Sequence, residues 1–191
     1  MIKTQFNEIK ERLTQWRNER HLTYENQQAG FLGNVFEEIS EYFRAKNDLE
    51  KIDALCDIAV FCFNVNDVKF SNYECYMKSD KVDCEFFDIV SKINSIIIYK
   101  ANFKESPVKV FLDTLIALLH KKCKNLGFDF YKCMLETIKE IESREQDPEQ
   151  KKEWEYKIKN KIEIKDKWRK NNHQKEETKY KANYESCRLL K

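Results

Sequence analysis

Apolar residues recur every three to four positions along most of the chain, a spacing that predicts helices and not strands. In the opening segment, residues 2–20, they occupy Ile2, Phe6, Ile9, Leu13 and Trp16. The same period predicts a second helix over residues 24–45 and a third over residues 49–66. The turn Lys46-Asn47-Asp48 between them is short, so these two helices should be antiparallel neighbours.

The rest of the chain adds further predicted helices over residues 83–101, 107–125 and 129–145. Residues 67–81 have no clean period and are predicted to be a loop. The chain contains only three glycines and two prolines, too few turn residues for a many-stranded sheet. We therefore expect an all-α fold, an antiparallel helix bundle.

The C-terminal part has a different composition. Residues 149–170 are rich in Lys and Glu with a sparse apolar stripe, which predicts a charged helical extension, whereas residues 180–187 have no helical period. We predict a catalytic domain over residues 1–148 and a basic helical extension and tail over residues 149–191.

Charge is abundant but nearly balanced. Charged residues form 36% of the chain and the net charge is +2, so no global field favours nucleic acid or an anionic membrane. Residues 149–191 contain 14 Lys and Arg against 8 Asp and Glu, which leaves the remainder acidic. An acidic site with a basic tail suits a phosphate-bearing ligand held through metal ions, and we expect no nucleic-acid partner.

Seven cysteines are scattered along the chain without a C-x-x-C spacing, and the N-terminus lacks the apolar core of a signal peptide. These features predict reduced thiols and a cytoplasmic protein. Apolar runs such as residues 111–119 are far shorter than the roughly 20 residues that span a bilayer, so no membrane association is expected.

Two acidic clusters stand out from this background, one in each of the second and third predicted helices. At 3.6 residues per turn two acids of the first cluster lie within about 60° of one another, Glu38 and Glu41, with Glu37 next to them in sequence. The acids of the second cluster share a stripe of similar width, and they are Glu50, Asp53 and Asp57. The third helix is apolar on most of its circumference and should be buried, and buried carboxylates need protons or cations. Solvated helix faces are the simpler explanation, but the flanking apolar residues favour a site for two or more Mg²⁺ or Mn²⁺ ions.

The residue pattern of these clusters resembles that of a known family. Glu38-x-x-Glu41, followed by Ile52-Asp53-Ala54-Leu55-Cys56-Asp57-Ile58, is similar to the all-α MazG-like nucleoside triphosphate pyrophosphohydrolases, closest to their phage-type, MazZ-like dATP/dGTP diphosphohydrolase branch. The family pattern is E-x-x-E, a gap, then E-x-x-D. Here Ala54 stands where the second glutamate belongs. Either Asp53 replaces it, or Glu50 and Asp53 form the second pair.

The resemblance implies a fold, a reaction and an assembly. The fold is that of the all-α NTP pyrophosphatases, and the reaction is metal-dependent hydrolysis of a nucleoside triphosphate, here a purine deoxynucleotide, to the monophosphate and pyrophosphate. It also implies a homodimer or homotetramer. Glu38 is our candidate general base. The alternatives are an all-α dUTPase and a non-enzymatic helical binding module with a basic tail.

Six further residues are candidates for substrate binding. Three amides near the acidic stripes could hold the sugar or base, although a core amide bonded to backbone is the commoner role: Gln27, Asn34 and Asn64. Three cations lie in stretches that also resemble the phage-type branch and could contact phosphate oxygens, with solvated helix ends as the alternative: Lys139, Arg144 and Lys181.

Overall fold

The computed structural model describes residues 1–78, 85–99, 102–144 and 180–189. Within these ranges the chain forms seven α-helices and one 3₁₀ turn. They are α1 (Lys3–Glu19), α2 (Tyr24–Arg44), α3 (Asp48–Val65), α4 (Phe70–Met77), α5 (Phe86–Ile98), α6 (Ser106–Asn125), α7 (Phe130–Ser143) and the C-terminal turn (Tyr184–Cys187). The predicted all-α fold is therefore confirmed.

Helix α3 is the centre of the core. It contacts α1, α2, α6 and the C-terminal turn, and the side chains of Ile52, Leu55 and Ile58 are completely shielded from solvent. Such a helix has little polar surface left, which explains why its sequence is apolar on most faces. Apart from Asn64, which is buried and bonds to Arg17 of α1, its polar residues lie where the helix is partly or fully exposed.

Local sequence sets the start of both α2 and α3. Thr23 precedes α2, and its Oγ1 accepts a hydrogen bond from the backbone N–H of Asn26 at 3.3 Å. Asn47 precedes α3, and its Oδ1 accepts from the backbone N–H of Glu50 at 3.0 Å. These caps satisfy amide groups that the first turn leaves without a helical partner. The connection between the two helices is only residues 45–47, so α2 and α3 run antiparallel as predicted.

Helix α4 corrects the prediction of a loop over residues 67–81. The carboxylate of Asp113 in α6 accepts hydrogen bonds from the backbone N–H of Lys69 at 2.8 Å and from Asn72 Nδ2 at 2.7 Å. Tyr73 in α4 is 1% exposed. A cap supplied by a distant helix and one buried aromatic side chain stabilise this short helix, and neither leaves a periodic signal in the local sequence.

The chain divides into two compact units. The first contains Met1–Ile138 and Asn183–Lys191, and the second contains Lys139–Ala182. Residues 145–179 lie outside the described residues, so the predicted helical extension over 149–170, and with it the division at 148/149, stays a prediction. In the second unit the backbone N–H of Ala182 donates to Glu140 Oε2 at 2.8 Å. Among the described helices, none combines the length and apolar character needed to cross a bilayer.

Residues 183–189 belong to the first unit and are fixed there by backbone pairing. The N–H of Asp129 donates to the carbonyl of Cys187 at 2.9 Å, and the N–H of Leu189 donates to the carbonyl of Gly127 at 2.8 Å. Gly127 has a φ of +86°, a left-handed backbone that glycine adopts without strain. Within residues 180–187, for which the sequence predicts no helical period, the structure has one 3₁₀ turn, Tyr184–Cys187.

Candidate metal centre

The α2–α3 hairpin brings four of the predicted carboxylates together. Glu38 and Glu41 lie on α2, and Asp53 and Asp57 lie on α3. Their mutual influence is visible at Glu38, where burial and then the negative charges of Asp57, Glu41, Asp53 and Glu37 raise the pKa to about 9 from its ordinary value of 4.5. At neutral pH the Glu38 carboxyl of the metal-free protein therefore carries a proton.

The acids are less buried than the sequence predicts. Only Glu38 and Asp57 are half-buried, whereas Asp53, Glu41 and Glu37 are exposed. The expectation of carboxylates enclosed by an apolar helix pair is therefore wrong for most of the cluster. The buried faces of α3 meet α1, α2 and α6, and the acidic stripe lies on the edge that remains open to solvent.

Glu50 has a different role from the other acids. Its Oε2 accepts a hydrogen bond from the backbone N–H of Lys46 at 2.7 Å, and its Oε1 accepts from Asn47 Nδ2 at 2.9 Å. These bonds fasten the carboxylate to the α2–α3 connection. After burial, the charges that raise the pKa of Glu38 most are those of Asp57, Glu41, Asp53 and Glu37. Of the two alternatives for the second acidic pair, the structure brings the charge of Asp53 close enough to raise the pKa of Glu38.

Asp53 is held by a residue that sequence analysis did not single out as a site residue. The hydroxyl of Tyr184 donates a hydrogen bond to Asp53 Oδ1 at 2.8 Å. The same hydroxyl lies 2.9 Å from Thr137 Oγ1, and Thr137 Oγ1 donates to the carbonyl of Cys133 at 3.0 Å. The C-terminal turn thus reaches the edge of the acidic cluster.

By chemistry these residues fit a hard divalent cation. Glu38 and the four carboxylates around it carry the oxygen atoms that Mg²⁺ and Mn²⁺ prefer as ligands. The raised pKa of Glu38 reflects repulsion among these carboxylates, which a bound cation would relieve. In the described part of the chain, however, no three acidic, histidine or cysteine side chains are grouped closely enough to hold a metal ion as they stand. Like charges separate without a cation between them, so binding would require the side chains to rotate inward.

The predicted amides are placed differently from one another. Asn64 is 1% exposed, and its Oδ1 accepts a hydrogen bond from Arg17 Nη1 at 3.1 Å, so it is a core amide bonded to a side chain and not to the backbone. Gln27 is 8% exposed, and among the described residues its Nε2 finds no hydrogen-bond partner. Asn34 is half-buried on α2. Gln27 is thus the amide with unused donor capacity.

Arg17 is a second residue that sequence analysis missed. Its side chain is 5% exposed, its guanidinium lies 4.4 Å from the centre of the Tyr24 ring, and it bonds to Asn64. A nearly buried arginine with these neutral contacts is unusual, because burying a charge is costly. Arg17 occupies a position of α1 that the helical period predicts to be apolar. The only signal in the sequence is therefore a charged residue at a core position.

The three predicted phosphate-binding cations lie in the second unit. Arg144 Nη2 is 3.7 Å from Glu140 Oε1, and Lys139 and Lys181 are exposed. Their role at a substrate stays a prediction. The six cysteines within the described ranges are all free thiols, as predicted.

Comparison with known proteins identifies no relative. No family model, no curated protein and no solved structure matches the chain. The geometry of the α2–α3 hairpin and the residue pattern on it are therefore what bears on function.

Proposed function

We propose that this protein hydrolyses a nucleoside triphosphate to the nucleoside monophosphate and pyrophosphate with Mg²⁺ or Mn²⁺. The observation that carries the proposal is the cluster around Glu38, where Asp57, Glu41 and Asp53 crowd a half-buried carboxyl. An arrangement that repels itself costs stability, and proteins keep such arrangements mainly at functional sites.

The carboxylate cluster and the resemblance to the MazG-like family both favour a triphosphate as the substrate. Glu38, Glu41, Asp53 and Asp57 would hold the cations, and Glu37 adds negative charge nearby. Divalent cations held by these residues would polarise phosphate oxygens, neutralise charge during the displacement and acidify a water ligand. A triphosphate carries several such oxygens in a row, which suits two or more ions.

Glu38 is the proposed general base. Its raised pKa means that it is protonated in the metal-free protein at neutral pH, and a neighbouring positive charge would lower that pKa. The carboxylate could then accept a proton from the attacking water. A base whose pKa is tuned close to the working pH transfers protons efficiently.

Gln27 supports the nucleoside end of the proposal. Its side-chain amide is nine-tenths buried, and its Nε2 has no partner within the described ranges. An unsatisfied buried donor costs about 1–3 kcal/mol, a cost that a ligand acceptor would remove. A purine deoxynucleoside triphosphate, the class suggested by the family resemblance, would offer such acceptors on its base or sugar.

The family resemblance also leads us to propose a homodimer or homotetramer in a reducing compartment such as the cytoplasm. Large apolar side chains on α2 and α5 support an interface between copies, since Phe43 is 59% exposed and Phe87 is 74% exposed. Their ring centroids lie 6.5 Å apart, so they form one surface. Light scattering of the purified chain would give its mass in solution.

The decisive experiment is an activity panel. The full chain is incubated with each ribo- and deoxynucleoside triphosphate in Mg²⁺ or Mn²⁺, and ³¹P NMR separates pyrophosphate from orthophosphate. We expect pyrophosphate and the monophosphate, and Glu38→Gln or Asp57→Asn should reduce release to the level without enzyme. Asp67→Asn is the matched control, because Asp67 is an exposed acid paired with Lys10 and Lys69.

Each other outcome contradicts part of the proposal. Turnover of dUTP alone would make the protein an all-α dUTPase. An absence of turnover with every nucleotide, together with no saturable Mn²⁺ binding, would favour a non-enzymatic binding module. Wild-type turnover in both Glu38→Gln and Asp57→Asn would place the chemistry elsewhere in the chain.

A further inference from the structure

Tyr184 links the C-terminal turn to the acidic cluster. Its side chain is 7% exposed, and its hydroxyl donates to Asp53 Oδ1 at 2.8 Å while lying 2.9 Å from Thr137 Oγ1. Thr137 is itself 2% exposed. The phenol thus has a polar contact on each side and a fixed place between α3 and α7.

The turn that carries Tyr184 is fastened at both ends. On one side the backbone N–H of Asn183 donates to Glu136 Oε2 at 3.0 Å. On the other side Cys187 and Leu189 pair with the α6–α7 connection through backbone hydrogen bonds. The Cys187 thiol also lies within hydrogen-bonding reach of the Cys133 thiol. Because of these contacts the position of the Tyr184 ring does not depend on its bond to Asp53.

A packing role alone does not require the hydroxyl. A phenylalanine would fill the same space, and a buried hydroxyl is tolerated only when it is hydrogen-bonded. Asp53 is exposed, so water could solvate its carboxylate without help from Tyr184. What the bond adds is orientation, because it fixes the position of Asp53 Oδ1 relative to the buried phenol.

We propose that Tyr184 is a positioning residue that orients Asp53 for cation binding at the acidic cluster. The proposal rests on the proposed function, since it assumes that Asp53 is a metal ligand. In this role Tyr184 holds Asp53 Oδ1, so the Asp53 carboxylate would be presented to a cation in one orientation. Groups that hydrogen-bond to metal-ligating carboxylates fix their geometry in this way, and losing such a group typically weakens metal affinity 10–100-fold.

The test measures Mn²⁺ affinity by electron paramagnetic resonance of the free ion in the full chain. Tyr184→Phe removes the hydroxyl and keeps the ring. The matched control is Tyr131→Phe, because the Tyr131 hydroxyl donates to a different carboxylate, Glu8 Oε2, at 2.5 Å. We expect Tyr184→Phe to weaken Mn²⁺ binding about 10-fold and Tyr131→Phe to leave it unchanged.

A double-mutant cycle with Asp53→Asn identifies the route of the effect. If Tyr184 acts through Asp53, then Tyr184→Phe should change Mn²⁺ affinity less than twofold in the Asp53→Asn protein, because coupled residues are not additive. Hydrogen exchange at the Leu189 amide, which donates to Gly127, reports whether the turn stays docked in each variant. We expect its protection to be unchanged in Tyr184→Phe.

The possible results separate this proposal from the proposed function. Equal Mn²⁺ affinity in wild type, Tyr184→Phe and Tyr131→Phe would overturn the positioning role and leave the metal site standing. An equal loss with and without the Asp53 carboxylate, or a lost Leu189 protection, would make Tyr184 a structural anchor only. A wild-type chain without saturable Mn²⁺ binding would overturn both.

Discussion

Glu38 and His120 are both titratable side chains withdrawn from water, yet their surroundings differ. His120 Nδ1 and the Tyr73 hydroxyl share a hydrogen bond of 2.5 Å, and the His120 ring lies 5.1 Å from that of Phe130. Burial lowers the pKa of His120 to about 3, so the ring stays neutral. Glu38 is instead crowded by carboxylates that share its charge. A satisfied neutral pair is typical of a core, and a self-repelling cluster is typical of a site.

The largest expected effect is the loss of the His120 ring. His120→Ala removes contacts with Tyr73 and Phe130 and leaves a buried hydroxyl without its partner, so we expect the free energy of unfolding to fall by about 3 kcal/mol. Glu38→Ala should cause no comparable loss. Urea unfolding of both variants at pH 7.5 would measure the contrast, and equal losses would remove the distinction between the two regions.

Cation binding should stabilise the protein through the Glu38 cluster and not through the His120 region. A ligand at 100 times its dissociation constant stabilises a protein by about 2.7 kcal/mol, so saturating Mn²⁺ should raise the melting temperature of wild type. Glu38→Gln should abolish most of this rise, whereas Tyr73→Phe should keep it. Differential scanning calorimetry with and without Mn²⁺ is the measurement, and a rise that survives in Glu38→Gln would contradict the site.

The two groups should give stability opposite dependences on pH. The folded protein binds the Glu38 proton more tightly than the unfolded chain, so stability should fall as pH rises from 4.5 toward 9. His120 binds its proton less tightly when folded, so the stability that it contributes is present above pH 6.5 and lost as pH falls toward 3.

The Glu38 part of this dependence can be isolated by mutation. In metal-free buffer at pH 8, Glu38→Gln should be more stable than wild type by on the order of 2 kcal/mol, and the gain should vanish near pH 4.5. Urea titrations at several pH values would measure it. A gain that does not vary with pH would mean that the Glu38 charge is not the cause.

The smallest expected effect concerns Glu50, which the sequence left open as a metal ligand and which the structure bonds to the α2–α3 connection. Glu50→Gln keeps most of the contacts with the α2–α3 connection, so we expect a stability loss of about 0.5–1 kcal/mol. Mn²⁺ affinity should stay within about twofold of wild type, since outer charges in solvent contribute little. A loss of affinity as large as that of Asp53→Asn would return Glu50 to the metal ligands.

Helix periodicity was enough to predict the fold class, because α2 has a regular apolar stripe and α3 is apolar on most of its faces. Both patterns are visible in a short local stretch of sequence. The same periodicity singled out Glu38, Glu41 and Asp57 as candidate ligands, since these acids lie beside apolar positions, and the structure brings their charges together. It missed α4, whose cap comes from Asp113 on another helix. It also did not predict the contact of Tyr184 with Asp53, which lies 131 residues away in the sequence. Contacts of that range leave no spacing in a single sequence.

The left-handed backbone of Gly127 has a consequence for protein engineering. Apart from Gly127 and its two chain neighbours, no described residue has an atom within 4 Å of the place where a Cβ would stand, so a side chain there would meet open space and its cost would be torsional. An L-alanine would strain a peptide unit that both reverses the chain after α6 and receives Leu189. A D-alanine introduced by chemical synthesis, with its mirror-image preference, would fit that torsion and stiffen both connections at once.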